Sequence, residues 1–246
     1  MWLDEAAAQA GLRLIGVDRP GYGRSDPHPG RTIVSVVADM LHVADCLAIN
    51  TFATVGVSTG GAYALALAAL APDRVIGVVT CGGMTDMSWE PGRATMTVPH
   101  AHALWDAPDR EAAIAAAVAA YGEDGSKMLN GGMNPVLAEL DKELFADPAW
   151  MGPTMAGFPE MFAFGVQGYA DDRIGDGPGW IDFDVAEVRC PVVVLHGTED
   201  KLVDAIQAKH CASIVPGAQL VLVEGHGHFS IEALVIPQLI RVLGAP

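Results

Sequence analysis

The chain has 246 residues, with 14 Lys and Arg against 30 Asp and Glu, and so a net charge of −16. That acid excess argues against nucleic-acid binding, which needs clustered cations to neutralise phosphates, and disfavours polyanionic substrates. With 51% hydrophobic and 18% charged residues the composition is that of a folded globule, long enough to close one α/β domain.

The opening residues Met1, Trp2, Leu3, Asp4 and Glu5 carry acids where a secretory leader carries positive charge, and 2–10 reads as a helix. No later run reaches the ~18 apolar residues of a membrane span. Cys46, Cys81, Cys190 and Cys211 are far apart, lack a C-x-x-C pair and sit among apolar neighbours. They read as reduced, mostly buried thiols of a cytoplasmic protein.

Short, nearly continuous apolar runs follow at 12–18 (LRLIGVD), Phe52–Val57, Val75–Cys81, 191–196 (PVVVLH) and 219–224 (QLVLVE). Such runs suit strands buried on both faces, as in a parallel sheet. Helical patterns separate them at 32–47, Gly60–Leu70, 204–214 and 231–243. The alternation predicts βαβ units and an α/β fold. Between 84 and 185 the apolar residues become Met, Trp and Phe and prolines are frequent. Helices are expected there at 110–120, 135–145 and 158–167. The segment reads as a small helical layer whose methionines also suit an adaptable apolar pocket wall.

Gly56-Val57-Ser58-Thr59-Gly60 follows one strand directly and opens a helix. A sharp strand-to-helix turn strains the backbone of its central residue, and small residues on either side relieve the clash. Gly56 and Gly60 meet that need, and Gly61 is expected to let the helix approach the sheet. Ser58 would stand at the carboxyl edge of the sheet, with the Thr59 N–H facing any developing oxyanion. A serine hydroxyl needs a base, and the base needs an orienting acid. Two loops supply both after later strands: His196-Gly197-Thr198-Glu199-Asp200, and Gly225-His226-Gly227-His228-Phe229. By residue type alone Glu199 and Asp200 both qualify as acid, and His226 and His228 both as base.

This order of serine, acid and histidine on a parallel sheet resembles the α/β-hydrolase fold family. Asp18-Arg19-Pro20-Gly21-Tyr22-Gly23-Arg24-Ser25 is similar to the family's D-x-P-G-x-G-x-S loop, and the HGTED and GHF stretches fit its acid and histidine loops. The resemblance implies Ser58 as nucleophile, Asp200 as acid and His228 as base, with Thr59 as an oxyanion donor. An acid after an earlier strand, such as Asp86, is the alternative. It also implies a core of 1–83 and 186–246 with a helical cap insert at 84–185. Ser at position 58 argues against the branches whose nucleophile is a carboxylate. The implied activity is serine-hydrolase transfer of an acyl group to water, on a small or medium apolar ester, carboxylesterase-like, with no cofactor.

Metal ligation is not expected. His100 with His102, and His226 with His228, lack a third ligand at a telling spacing, and 172–177 (DRIGDG) reads as a solvated acidic loop.

The family's sheet has more strands than these five runs, and it places one strand between those matching 12–18 and Phe52–Val57. An H-G loop after that strand gives the second oxyanion N–H. The expectation is an N-terminally incomplete version of a longer hydrolase, in which the first two runs either pair directly or leave a gap. The rival expectation is a non-catalytic or weakly active binding protein that retains the pocket.

Overall fold

A computed structural model of the chain describes residues 3–96, 101–127 and 137–244. Its centre is a parallel sheet of four strands, β1 (Phe52–Val57), β2 (Val75–Cys81), β3 (Val192–Gly197) and β4 (Gln219–Val223), in the spatial order β1-β2-β3-β4. Four of the five apolar runs are therefore strands. Every residue of β3 is buried, which is why its sequence lacks a polar face.

Helices cover both faces. On one lie α2 (Ile33–Cys46), α3 (Gly60–Leu70) and α10 (Ala205–Ile214), packed through Val36, Val37, Leu65, Ala208 and Cys211 onto Val78, Val192 and Val194. On the other lie α1 (Asp4–Gln9) and α11 (Val235–Leu243), with Leu3, Ala7, Val235 and Leu239 against Val79, Val193 and Leu195. Full burial of such a side chain is worth about 1.5–3 kcal/mol. The N-termini of α2 and α10 are capped, by Thr32 in a reciprocal box with Ser35 and by Asp204 accepting from Ile206 N–H. The predicted helix at 231–243 begins as a 3₁₀ turn, Ser230–Leu234, before α11.

Residues 12–18 depart from the strand prediction. They run in an open conformation without a ladder partner among the described residues, and Ile15 and Val17 are exposed. A cavity of about 700 Å³ separates them from β1 and α3, lined by Leu14, Val55, Tyr63 and Leu67 among others. Of the two expected outcomes, the structure has the gap. An apolar run becomes a strand only when a neighbouring edge pairs with its N–H and C=O groups, and among the described residues none does.

Between β2 and β3 the chain is helical: α4 (Glu90–Ala94), α5 (Ala101–Trp105), α6 (Arg110–Tyr121), α7 (Glu139–Ala146), α8 (Pro148–Met161) and α9 (Gln167–Asp176). It has its own core of Leu104, Ala113, Ala117, Phe162, Val166 and Ala170. The helix expected at 158–167 is divided instead: 158–161 end α8, 162–166 form a turn in which Gly165 takes a positive φ of 70°, and 167 opens α9. The start of the helix expected at 135–145 lies outside the described residues, as does His100. The stretch at 172–177 is not a solvated loop. Asp172, Arg173 and Asp176 belong to α9 and are buried, because arginines supply the charges that make burial of the carboxylates tolerable. Among the cysteines Cys81 and Cys211 are buried, and Cys46 is exposed.

Candidate active site

β1 leads straight into α3 through Ser58 and Thr59. The Ser58 N–H donates to the Cys81 carbonyl at 2.9 Å, tying the turn to the end of β2, and Ser58 has φ 53°. A positive φ is uncommon in a residue with a side chain and costs of order 1–3 kcal/mol, which the surrounding ladder and helix must hold. Gly56 is required, since a Cβ there would collide with the Gly60 carbonyl. The expectation for the other two glycines is corrected. A Cβ on Gly60 would meet open space, and one on Gly61 would touch Gly83 at an ordinary 3.4 Å.

The loops after β3 and β4 bring Asp200 and His228 together. His228 Nδ1 lies 2.7 Å from Asp200 Oδ2, and both side chains are buried. The other carboxylate oxygen, Oδ1, accepts the N–H groups of Leu202 and Val203, each at 2.9 Å. That fixes the acid before the imidazole meets it. The turn after β2 fits against both parts of the site: a Cβ on Gly82 would lie 3.3 Å from His228 Nδ1, and one on Gly83 3.6 Å from the Ser58 carbonyl. Among the described residues Ser58 Oγ has no hydrogen-bond partner.

The alternatives fall elsewhere. Glu199 is exposed and its N–H donates to the His226 carbonyl. Among the described residues His226 Nδ1 is buried without a partner, and His226 does not pair with Asp200. Asp86 accepts from the N–H groups of Ser88 and Trp180.

Burial alone would lower the His228 pKa. The hydrogen bond and charge of Asp200 outweigh it, with Glu232 and Asp141 adding to the same side, so the imidazole is raised above its ordinary range. His196, at the end of β3, is the opposite case: burial lowers it more than the nearby Asp200 carboxylate, 3.5 Å away, raises it. Its Nε2 lies 2.8 Å from the Val203 carbonyl and braces the loop that carries Asp200.

Thr59 follows Ser58 at the N-terminus of α3, and its N–H has no partner among the described residues, leaving a donor free at the positive end of a helix. Its hydroxyl accepts a 2.8 Å hydrogen bond from Arg173 on α9. Arg173 also pairs with Asp176, which in turn accepts from Trp105. Burial pushes Asp176 up to about 6 despite the guanidinium. Next to them Asp172 receives Arg19, Arg31, Tyr22 and Tyr63. Burial alone would raise Asp172, but Arg19 and the other arginines hold it down at about 2. This network fastens α9 to the loop at 18–25 and to the serine turn, and nothing in the sequence reading anticipated it. The available signal was the density of Asp and Arg at 171–176 inside an otherwise apolar, aromatic segment.

Among the described residues no helix is long and apolar enough to cross a membrane, and no group of three His, Cys, Asp or Glu is placed to hold a metal ion.

Comparison with known proteins agrees with this architecture. Residues 2–233 match the model of the alpha/beta hydrolase fold family. The chain is 29% identical over 235 residues to a non-heme chloroperoxidase of Streptomyces lividans, covering 92% of this chain and 79% of that protein. It is 26% identical over 220 residues to the 2-hydroxymuconate semialdehyde hydrolase of Pseudomonas putida, covering 89% and 71%. Among solved structures, an esterase from Exiguobacterium antarcticum superposes with a TM-score of 0.70 at 18% identity, over 99% of this chain and 86% of that one.

Proposed function

Because the chain belongs to the alpha/beta hydrolase fold family, we propose that it is a serine hydrolase, with Ser58 as nucleophile, His228 as general base and Asp200 as the orienting acid. The observation that carries the reading is the positive φ of Ser58 at a turn tied to β2, at the same edge of the sheet as a buried Asp200–His228 pair. Strain of this kind is retained where it lifts a side chain out for chemistry.

In the proposed reaction His228 Nε2 takes the Ser58 proton as Oγ attacks the substrate carbonyl. Asp200 holds the Nδ1–H and stabilises the imidazolium. The Thr59 N–H and the start of α3 stabilise the oxyanion. Collapse of the tetrahedral intermediate expels the alcohol with the proton returned by His228, and water repeats the sequence to free the acid and Ser58. Met84, Met87 and Met96 form a buried apolar cluster with Val203, and the Met84 N–H is directed at the Ser58 carbonyl at 3.4 Å. The apolar surroundings of the Ser58 turn favour a small or medium apolar ester as substrate. The helical segment at 84–185 acts as the cap over it.

The cavity reaching Gly56, Val57 and Gly60 favours a second reading, in which the chain binds small apolar molecules in this fold with weak turnover or none. Labelling with a fluorophosphonate probe and hydrolysis of p-nitrophenyl acetate and butyrate, beside Ser58→Ala, separate the two. Labelling and turnover that disappear in Ser58→Ala are expected; equal signals in both proteins would remove Ser58 as nucleophile. Since the reaction needs neutral His228 and its pKa is raised, kcat/KM should climb with pH through a midpoint above the ordinary imidazole value of 6.5. A midpoint below it would contradict the Asp200 assignment.

A further inference from the structure

Asp141 lies on α7, far in sequence from Ser58, Asp200 and His228, and is completely buried. Among the described residues it forms no ion pair. Its carboxylate accepts three backbone N–H groups in succession: His228 to Oδ2 at 3.0 Å, Phe229 to Oδ1 at 3.2 Å and Ser230 to Oδ1 at 2.7 Å. These donors stand at the entry to the 3₁₀ turn Ser230–Leu234, where N–H groups have no partner within the turn itself. The seat is tight. A Cβ on Gly227 would collide with the Asp141 carboxylate and come within 2.7 Å of Ala138 Cβ, so only glycine lets α7 approach the loop. Ser230 Oγ accepts from Gly227 N–H at 3.0 Å and closes the loop on itself.

A buried carboxylate without a cation is costly unless hydrogen bonds to its charged form repay the lost hydration. Here the repayment comes wholly from the segment that carries His228. We propose that Asp141 is a positioning residue, through which the helical segment between β2 and β3 fixes the backbone of the His228 loop and hence the setting of the base. The proposal rests on the reading of His228 as base. It makes the base depend on the seating of α7, so that displacing the helical segment also disturbs the Asp200–His228 pair.

The test is a pair of measurements on Asp141→Asn in the full chain. The amide keeps the shape but offers one acceptor oxygen, and its NH₂ group faces backbone donors. The charged and titratable groups facing His228 are Asp200 from the loop after β3, His196 at the end of β3, Glu232 from the 3₁₀ turn and Asp141 from α7. Removing the Asp141 charge and loosening the Asp200 bond both destabilise the imidazolium. The His228 titration, followed by NMR with ¹⁵N-labelled histidine, should therefore move to lower pH. With p-nitrophenyl acetate kcat should fall roughly 10- to 100-fold, as expected for a misplaced base, with KM little changed. A folded Asp141→Asn with the wild-type titration and wild-type kcat would overturn the proposal.

Hydrogen exchange of the wild-type protein provides a readout should the variant fail to fold. The His228, Phe229 and Ser230 amides should be as protected as those of β3, and exchange at the rate of an open loop would equally overturn it. The NMR arm needs no turnover. A wild-type protein that hydrolyses nothing but shows the titration shift upon Asp141→Asn would sink the hydrolase reading and leave the positioning role standing.

Discussion

The centre of the sheet and its β1 edge contrast more sharply than their sequences do. β3 is buried at all six positions and β2 at all but Ile76, each held by ladders on both edges. β1 is mostly apolar too, yet only Gly56 within it is buried, because its outer edge faces the 700 Å³ cavity and not a strand. Residues 12–18 on the far side of that cavity carry Leu12, Leu14, Ile15 and Val17, a strand-like set, and form no ladder with a described residue. Side-chain hydrophobicity selects candidates for a parallel sheet, but a neighbour's hydrogen bonds decide which become strands. Asp200 follows β3 in the closed centre of the sheet, whereas Ser58 follows the edge strand β1 and is held mainly by its link to β2; His228 follows β4, the other edge strand, whose Leu220 and Leu222 are exposed.

Several substitutions would break this comparison if it were wrong. The largest effect is expected beside the closed centre: Asp200→Asn should lower kcat on a p-nitrophenyl ester by about 10⁴-fold, by analogy with other Ser-His-Asp sites. A loss under tenfold would remove Asp200 from the proposed triad. Leu195→Ala in β3 should cost about 2–5 kcal/mol of unfolding free energy in urea titration, since Leu195 is wholly buried. Gly56→Ala should cost about 1–3 kcal/mol and reduce fluorophosphonate labelling, because the Gly60 carbonyl must move and takes the serine turn with it. Val55→Ala, at the same depth in sequence but beside the cavity, should cost no more than about 1 kcal/mol. A larger loss would mean that the β1 edge is as closed as β3. At the smallest end, Ile15→Thr should lie within about 0.5 kcal/mol of the parent, given that Ile15 is 39% exposed. Hydrogen exchange sharpens the same point, with β3 amides opening only on global unfolding and those of 14–17 exchanging freely.

Much of the candidate site was legible before any coordinates. Ser58 could be found because G-x-S-x-G stood between an apolar run and a helical pattern, and the loops of Asp200 and His228 because each followed a run of the same kind. The choice of Asp200 over Glu199, and of His228 over His226, needed the family resemblance, since adjacent residues in a loop face different ways for reasons no periodicity carries. Asp141, Arg173 and the arginines around Asp172 were not legible. Apart from the local Arg173–Asp176 pair, the partners named above are 87 to 153 residues away in the chain, and a lone charged residue in a helical pattern reads by default as solvated.

The sequence by itself determined the alternation of strands and helices, the acidic balance and the order of the residues proposed for catalysis. These depend on local periodicity and on turn chemistry confined to a few neighbouring residues. The tertiary structure decided that residues 12–18 do not form a strand, that the carboxylates of α9 are buried among arginines, and that a carboxylate of α7 grips the His228 loop. Each of these rests on whether a hydrogen-bond or charge partner arrives from a remote part of the chain, and composition and spacing do not encode that meeting.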